Sequence, residues 1–220
     1  MDQRSPLETA IAEFRRRCTL ASLTEPDVDP NPFTQFERWF QDALTAELPQ
    51  PDAMTLATST KDGTPSARMV LLRDFDEAGF VFYTNYESQK GRELTENPRA
   101  ALVCYWAELT RQVRITGEVS RVSAEESDAY WRTRPVGSRL GALVSRQSQV
   151  IHDRDTLDAQ LTQLMAEYRD RDVPRPPYWG GYRVAPEAME FWHSRPNRLH
   201  DRLRYTRLPD HRWRIERLSP

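Results

Sequence analysis

The stretch ARMVLLRDFDEAGFVFYTNY, residues 67–86, decides the architecture of this chain. It holds two β-rich runs, 67–75 and 79–86, separated by the turn signal Glu77-Ala78-Gly79. Working outward, AMTLATST (53–60) precedes it across a second turn, Lys61-Asp62-Gly63. AALVCYW (100–106) and RQVRITGEV (111–119) follow. Five short strands with few helices between them predict an antiparallel barrel, not alternating βαβ units. The fold class expected is α+β, mainly β, with peripheral helices. Three closing strands are predicted near Tyr182–Trp192, Arg198–Tyr205 and Arg212–Arg217.

Helical spacing marks the remaining segments. One helix is expected from Pro6 to Arg17, and a second is opened by Asn31 as N-cap and Pro32 as first helical residue. Phe33, Phe36, Phe40 and Leu44 form the apolar stripe of that second helix. Further helices are predicted at Ser88–Asn97, Ala124–Arg132, Ser138–Leu143 and Thr156–Tyr168. Leu157, Leu161, Leu164, Met165 and Tyr168 are the buried side expected of the last. Residues 1–30 read as an N-terminal helical segment and 31–220 as a single domain that includes the C-terminal strands.

Composition narrows the function classes. The 220 residues carry a formal net charge of −2, so no global basic field draws the chain to nucleic acid or an acidic membrane. Cys18 and Cys104 are far apart and outside any ligand-spaced cluster, which points to reduced thiols and no zinc site. The N-terminus lacks the order of a signal peptide, and no apolar run could span a bilayer as a helix. A cytoplasmic protein is expected.

The familiar catalytic motifs are absent: there is no GxSxG, no GxxxxGK[ST], no GxGxxG after a strand and no HExxH. No metal site is expected. What recurs instead is a set of polar donors at strand ends and short turns. Arg68 and Arg73 bracket one strand, and Lys90 lies where "SQK" opens a helix, a ready anion site. Gln112, Arg114 and Thr116 share one face of a strand, and Gln147 and Ser148 follow a helix. NRLHDRLRY (197–205), read as a strand, places Arg198, His200 and Arg202 on one face. Donors spread over many elements, with neither nucleophile nor metal, suit a planar phosphorylated cofactor that supplies its own chemistry.

Five segments carry a resemblance: RMVLLRDFDEAGFVFYTNYESQKGREL, RQVRITGEV, YWRTRPVGSRLGALVSRQS, WGGYRV and EFWHSRPNRLHDRLRY. Together, in order and over nearly the whole chain, they resemble the pyridoxamine 5'-phosphate oxidase family. The resemblance implies a split β-barrel, a homodimer, and FMN in clefts between subunits. Arg68, Met69, Val70, Leu71, Leu72 and Arg73 match the segment that wraps the flavin and its phosphate. Tyr83, Thr84, Gln89, Lys90 and Gln112 match further flavin contacts, and Gln147, Ser148, Trp192 and Arg202 lie near the cofactor. Arg73, Tyr130, Arg134 and Ser138 match the residues that hold the substrate phosphate. Arg198, Leu199 and His200 match the cover of the pyridine ring, with Arg198 and His200 in the catalytic roles. Arg15 matches a substrate contact in an N-terminal segment that can close as a lid.

The reaction so implied takes a hydride from C4' of pyridoxine or pyridoxamine 5'-phosphate to flavin N5. It yields pyridoxal 5'-phosphate, with O2 reduced to H2O2 and ammonia released from the amine. Three positions depart from the family pattern. Arg73 replaces a lysine, Gln89 stands where an arginine often precedes the phosphate lysine, and Cys18 takes the place of a tyrosine. The rival readings are a phenazine-biosynthesis type of split-barrel FMN oxidase and a non-catalytic module that binds flavin or pyridoxal phosphate. Tyr130, Arg134 and Ser138 favour the phosphorylated vitamer over the first, and the pair Arg198 and His200 favours an enzyme over the second.

Overall fold

The computed structural model describes residues 22–220. The expected helix at Pro6–Arg17, together with Arg15 and Cys18, lies outside the described residues. In chain order the elements are α1 (Pro32–Thr45), β1 (Ala53–Ser59), β2 (Pro65–Leu71), β3 (Asp74–Asp76), β4 (Gly79–Asn85) and α2 (Gln89–Glu96). Then follow β5 (Arg99–Trp106), β6 (Arg111–Arg121), α3 (Ala124–Thr133), α4 (Val136–Val144) and α5 (Arg154–Glu167). β7 (Trp179–His193), β8 (Asp201–Arg207) and β9 (Trp213–Arg217) close the chain. The strand order is β2-β1-β5-β6-β7-β4-β3, with β8 paired to β7 and β9 to β8. Mainly antiparallel β structure with peripheral helices is the class expected. Two compact units divide the chain: residues up to Leu56 with Ala101–Gly117 and Pro186–Pro220, and Ala57–Ala100 with Glu118–Ala185.

The first unit is built on α1 and the strand segments that carry its aromatic core. Asn31 caps α1 by accepting from the Phe33 amide at 2.9 Å, and Pro32 follows at the first helical position. The buried stripe is Phe33, Phe36, Trp39 and Ala43, whereas Leu44 is 45% exposed. The expected stripe therefore turns toward Trp39 and Ala43, because the indole packs edge-on against Phe191 at 5.3 Å. Phe191 in turn meets Tyr205 at 5.4 Å, and the Tyr205 hydroxyl donates to the Asp29 carbonyl at 2.7 Å. Both rings are fully buried. Each such side chain contributes about 1.5–3 kcal/mol by its removal from water.

The second unit carries the hairpin of residues 74–85. Asp76 pairs with Gly79 and Phe75 with Phe80 across β3 and β4. Gly79 has φ +139, and a Cβ there would lie 2.2 Å from the Val184 carbonyl oxygen. Only glycine fits. β4 continues antiparallel to β7 from Phe80↔Val184 to Asn85↔Trp179. β7 thus begins three residues before the expected Tyr182, since Trp179 pairs in register and is buried. Trp131, Leu140, Val173 and Trp179 form a core cluster, with Leu161, Leu164 and Tyr168 packed against it. Met165 is 56% exposed and no residue of α5 is fully buried, so the helix meets the cluster with a narrower, partly buried side than its sequence suggested.

Candidate functional site

One end of the site grows from the start of α2. Ser88 caps that helix by accepting from the Gly91 amide, and its own hydroxyl donates to the Asn85 carbonyl at 2.7 Å. At Gly91 a Cβ would sit 2.1 Å from the Tyr86 carbonyl oxygen, so glycine lets this turn pack closely. The cap leaves Lys90 pointing inward, 8% exposed. Its Nζ donates to Gln147 Oε1 at 2.8 Å, Thr84 Oγ1 at 3.2 Å and Ser88 Oγ at 3.4 Å. Loss of hydration, and secondarily the charge of Arg68, lowers its pKa to about 8, while Glu93 pulls the other way. A buried ammonium held by neutral oxygens is a cation awaiting an anion.

Gln147 and Lys90 belong to a cavity of 710 Å3 within the second unit, a size suited to a cofactor or ligand. Its walls include Met69, Val70, Leu71 and Arg73 from β2 and its end, Tyr83 and Thr84 from β4, and Tyr130, Arg134 and Ser138 from α3 and α4. Tyr130 and Arg134 lie four apart at the end of α3, where Arg134 is the C-cap. The Tyr83 and Tyr130 rings stack at 3.9 Å and 13°, and the Tyr130 ring is nearly parallel to that of Trp179. Burial raises the Tyr83 hydroxyl to about 12, which keeps it neutral.

Arg134 occupies a demanding position. Its guanidinium lies 4.5 Å from the Trp179 ring and 5.0 Å from that of Trp131. Nη2 donates to the Ser138 carbonyl at 2.9 Å, but the buried Nη1 has no hydrogen-bond partner. Burial depresses its pKa, the more so with Arg73 and Arg139 nearby, although Tyr130 opposes this. A buried guanidinium N–H without an acceptor is costly unless a ligand supplies one.

Not every residue expected at the flavin lines this cavity. Leu72 is buried at 6% exposure and does not line it. Arg68 directs its fork to Thr58, Ser66 and Glu93. The Gln89 side chain donates to Glu93 Oε1 at 2.9 Å, and its backbone amide donates to Ser148 Oγ at 3.2 Å. Sequence reading passed over Glu93 and Trp179. A lone carboxylate in a short helix, or one tryptophan among six, carries no signal until packing gives it neighbours.

Gln112, Trp192, Arg198, Leu199, His200 and Arg202 belong to the first unit. The expected strand over 198–205 begins only at Asp201. Pro196–Arg198 is a 3-10 turn with φ +57 at Asn197 and +62 at Arg198, so the alternation that grouped Arg198 and His200 with Arg202 does not apply before residue 201. Left-handed backbone cannot continue an extended strand. Leu199 is 68% exposed. The His200 ring lies 4.7 Å from that of Trp192. The Arg195 amide donates to His200 Nδ1 at 3.1 Å, so a neutral ring carries its proton on Nε2. Arg202 pairs with Trp192 across β7 and β8, and its Nε donates to Glu190 Oε1 at 2.8 Å. Glu190 also accepts from Arg114 at 3.1 Å.

Comparison with known proteins decides the family. Residues 40–167 match the family model of pyridoxamine 5'-phosphate oxidase, and residues 179–220 that of the pyridoxine 5'-phosphate oxidase C-terminal dimerisation region. The chain belongs to the pyridoxamine 5'-phosphate oxidase family. A curated pyridoxine/pyridoxamine 5'-phosphate oxidase of Nostoc sp. is 58% identical over 97% of this chain and all of its own length. One from Paraburkholderia phytofirmans is 56% identical over 96% of this chain and all of its own. Among solved structures, PhzG from Burkholderia lata, in complex with tetrahydrophenazine-1-carboxylic acid, superposes with a TM-score of 0.87. It is 36% identical and covers 92% of this chain and all of its own. A pyridoxamine 5'-phosphate oxidase-related FMN-binding protein of Nostoc punctiforme shares the fold at 17% identity and a TM-score of 0.64, covering 99% of each chain. The cofactor of this pyridoxamine 5'-phosphate oxidase family member is FMN. The buried Lys90, the start of α2 and the cavity beside them fit its phosphate and its bulk.

Proposed function

We propose that the protein is a pyridoxal 5'-phosphate synthase, an FMN-dependent oxidase of pyridoxine and pyridoxamine 5'-phosphates. The observation that carries this reading is the buried, unpartnered Arg134 Nη1 in a cavity that also holds Lys90. Two separate cationic positions suit two phosphorylated ligands. Lys90, with Thr84 and Gln147, receives the flavin phosphate, and Met69, Val70 and Leu71 pack along the cofactor. Arg134, Tyr130, Ser138 and Arg73 receive the substrate phosphate. The Arg73 fork adds charge where a lysine would give a point donor.

Held through its phosphate by Lys90, Thr84 and Gln147, FMN would supply the two-electron redox chemistry that links oxidation at the substrate C4' carbon to reduction of O2 to H2O2. The chain's own part is orientation and electrostatics. Arg198 orients and polarises the substrate. His200, whose Nδ1 accepts from the Arg195 amide, holds the substrate oxygen or moves its proton. Gln112, Ser148, Trp192 and Arg202 contact the cofactor in a homodimer whose C-terminal region forms the contact between copies, and Leu199 borders the substrate. The amine product is an imine that water converts to the aldehyde and ammonia.

The likeness to PhzG makes a phenazine-type oxidase the competing reading. The test is direct: release and identify the flavin, then follow H2O2 with both phosphorylated vitamers. Turnover of either supports the proposal. A flavin-loaded protein that releases no peroxide with them overturns it in favour of the competitor.

A further inference from the structure

Behind Lys90 lies a hydrogen-bonded network in which the Thr58 and Ser66 hydroxyls each meet both Arg68 and Glu93, and meet each other at 3.4 Å. Glu93, 4% exposed, accepts at Oε2 from Ser66 Oγ at 2.7 Å, from Arg68 Nη2 at 3.1 Å and from Thr58 Oγ1, and at Oε1 from Gln89 Nε2 at 2.9 Å. The same two hydroxyls accept from the guanidinium: Thr58 Oγ1 from Nη1 and Ser66 Oγ from Nη2. Donor and acceptor roles therefore run in one sense, from Arg68 through Thr58 and Ser66 to Glu93. Helical spacing places Glu93 three residues beyond Lys90 on the same face of α2.

We propose that Glu93 is a positioning residue for the phosphate end of the flavin site, holding the Arg68 fork through the two hydroxyls and offsetting its charge beside Lys90. The inference rests on the FMN reading above. The charged groups that face Lys90 are Arg68 from β2 and Glu93 from α2, and its other neighbours Thr84, Ser88 and Gln147 are neutral. Without Glu93, Arg68 would lose this carboxylate beside a buried ammonium, and Lys90 would give up its proton more readily. Gln89 fits the same account: it donates an amide to Glu93 where an arginine would add a further positive charge.

The test is FMN affinity of the FMN-stripped protein, read from quenching of flavin fluorescence across pH 6–10. In the wild-type protein affinity should decline as pH rises through about 8, where Lys90 loses its proton. Glu93→Gln should weaken binding at pH 7 by roughly 10- to 100-fold, the size expected for hydrogen bonds to charged groups. It should also move that decline to lower pH. Arg68→Met should move it to higher pH, and the double variant should bring it back toward the wild-type position. A purely structural role would not produce opposite shifts that cancel. Unchanged affinity and pH dependence in Glu93→Gln overturn the proposal. If that variant does not fold, Thr58→Val carries the test, because it interrupts the relay and keeps both charges. Several-fold weaker FMN binding supports the proposal, and unchanged binding overturns it. A wild-type protein that binds no FMN would instead overturn the functional reading itself.

Discussion

Arg134 and Lys90 show how single residues become informative through burial. Each puts a cation where water is scarce, and each would be unremarkable on a surface. Arg134→Leu should raise KM for the phosphorylated vitamers by roughly 10- to 100-fold, the scale of a lost charge-assisted hydrogen bond, with a smaller change in kcat. Steady-state kinetics check this. Arg198→Leu should lower kcat/KM for pyridoxamine 5'-phosphate, and unchanged kinetics would remove Arg198 from its assigned role. Lys90 links the site to stability. Its folded pKa of about 8 lies below the ordinary 10.5, so burial of the charged form weighs on the flavin-free fold in full below pH 8. That burden is relieved as pH rises from 8 toward 10.5. Flavin-free protein should therefore gain stability relative to Lys90→Met over this interval, measurable as a rising difference in Tm.

At the scale of the element, turns and caps carry the site. Gly79→Ala should destabilise the β3–β4 hairpin strongly, because its Cβ would enter the Val184 carbonyl and its φ is in the region that favours glycine. Chemical denaturation would show a lower midpoint with m unchanged. Ser88→Ala should cost about 1 kcal/mol through the lost N-cap, and should also loosen Lys90, whose Nζ reaches Ser88 Oγ. The turn at Asn197 and Arg198 makes the opposite point. The sequence NRLHDRLRY alternates well enough to pass for a strand, yet Pro196 and two left-handed residues end that pattern until Asp201. Alternation in a short window reports what a strand would do, not whether a strand is present.

For the whole molecule, the aromatic chain Trp39–Phe191–Tyr205 and the cluster around Trp131 and Trp179 hold the two units internally. Phe191→Ala should cost about 3–5 kcal/mol, since the ring is fully buried. Thermal unfolding measures it.

The sequence alone determined the strand runs, the cap at Asn31, the glycine turn and the family motifs. These depend on local spacing and on backbone freedom, which a linear chain displays directly. It did not determine which side of α5 is buried, where β8 begins, or that Glu93 and Arg68 share two hydroxyls. The shared hydroxyls need residues 10 to 35 positions apart brought within hydrogen-bond distance, Thr58 with Arg68 and with Glu93. Only tertiary packing makes such neighbours. The opening stretch ARMVLLRDFDEAGFVFYTNY thus announced a hairpin by its own chemistry. Which of its side chains meet the cavity, and which turn to Glu93, was decided by what folds against it.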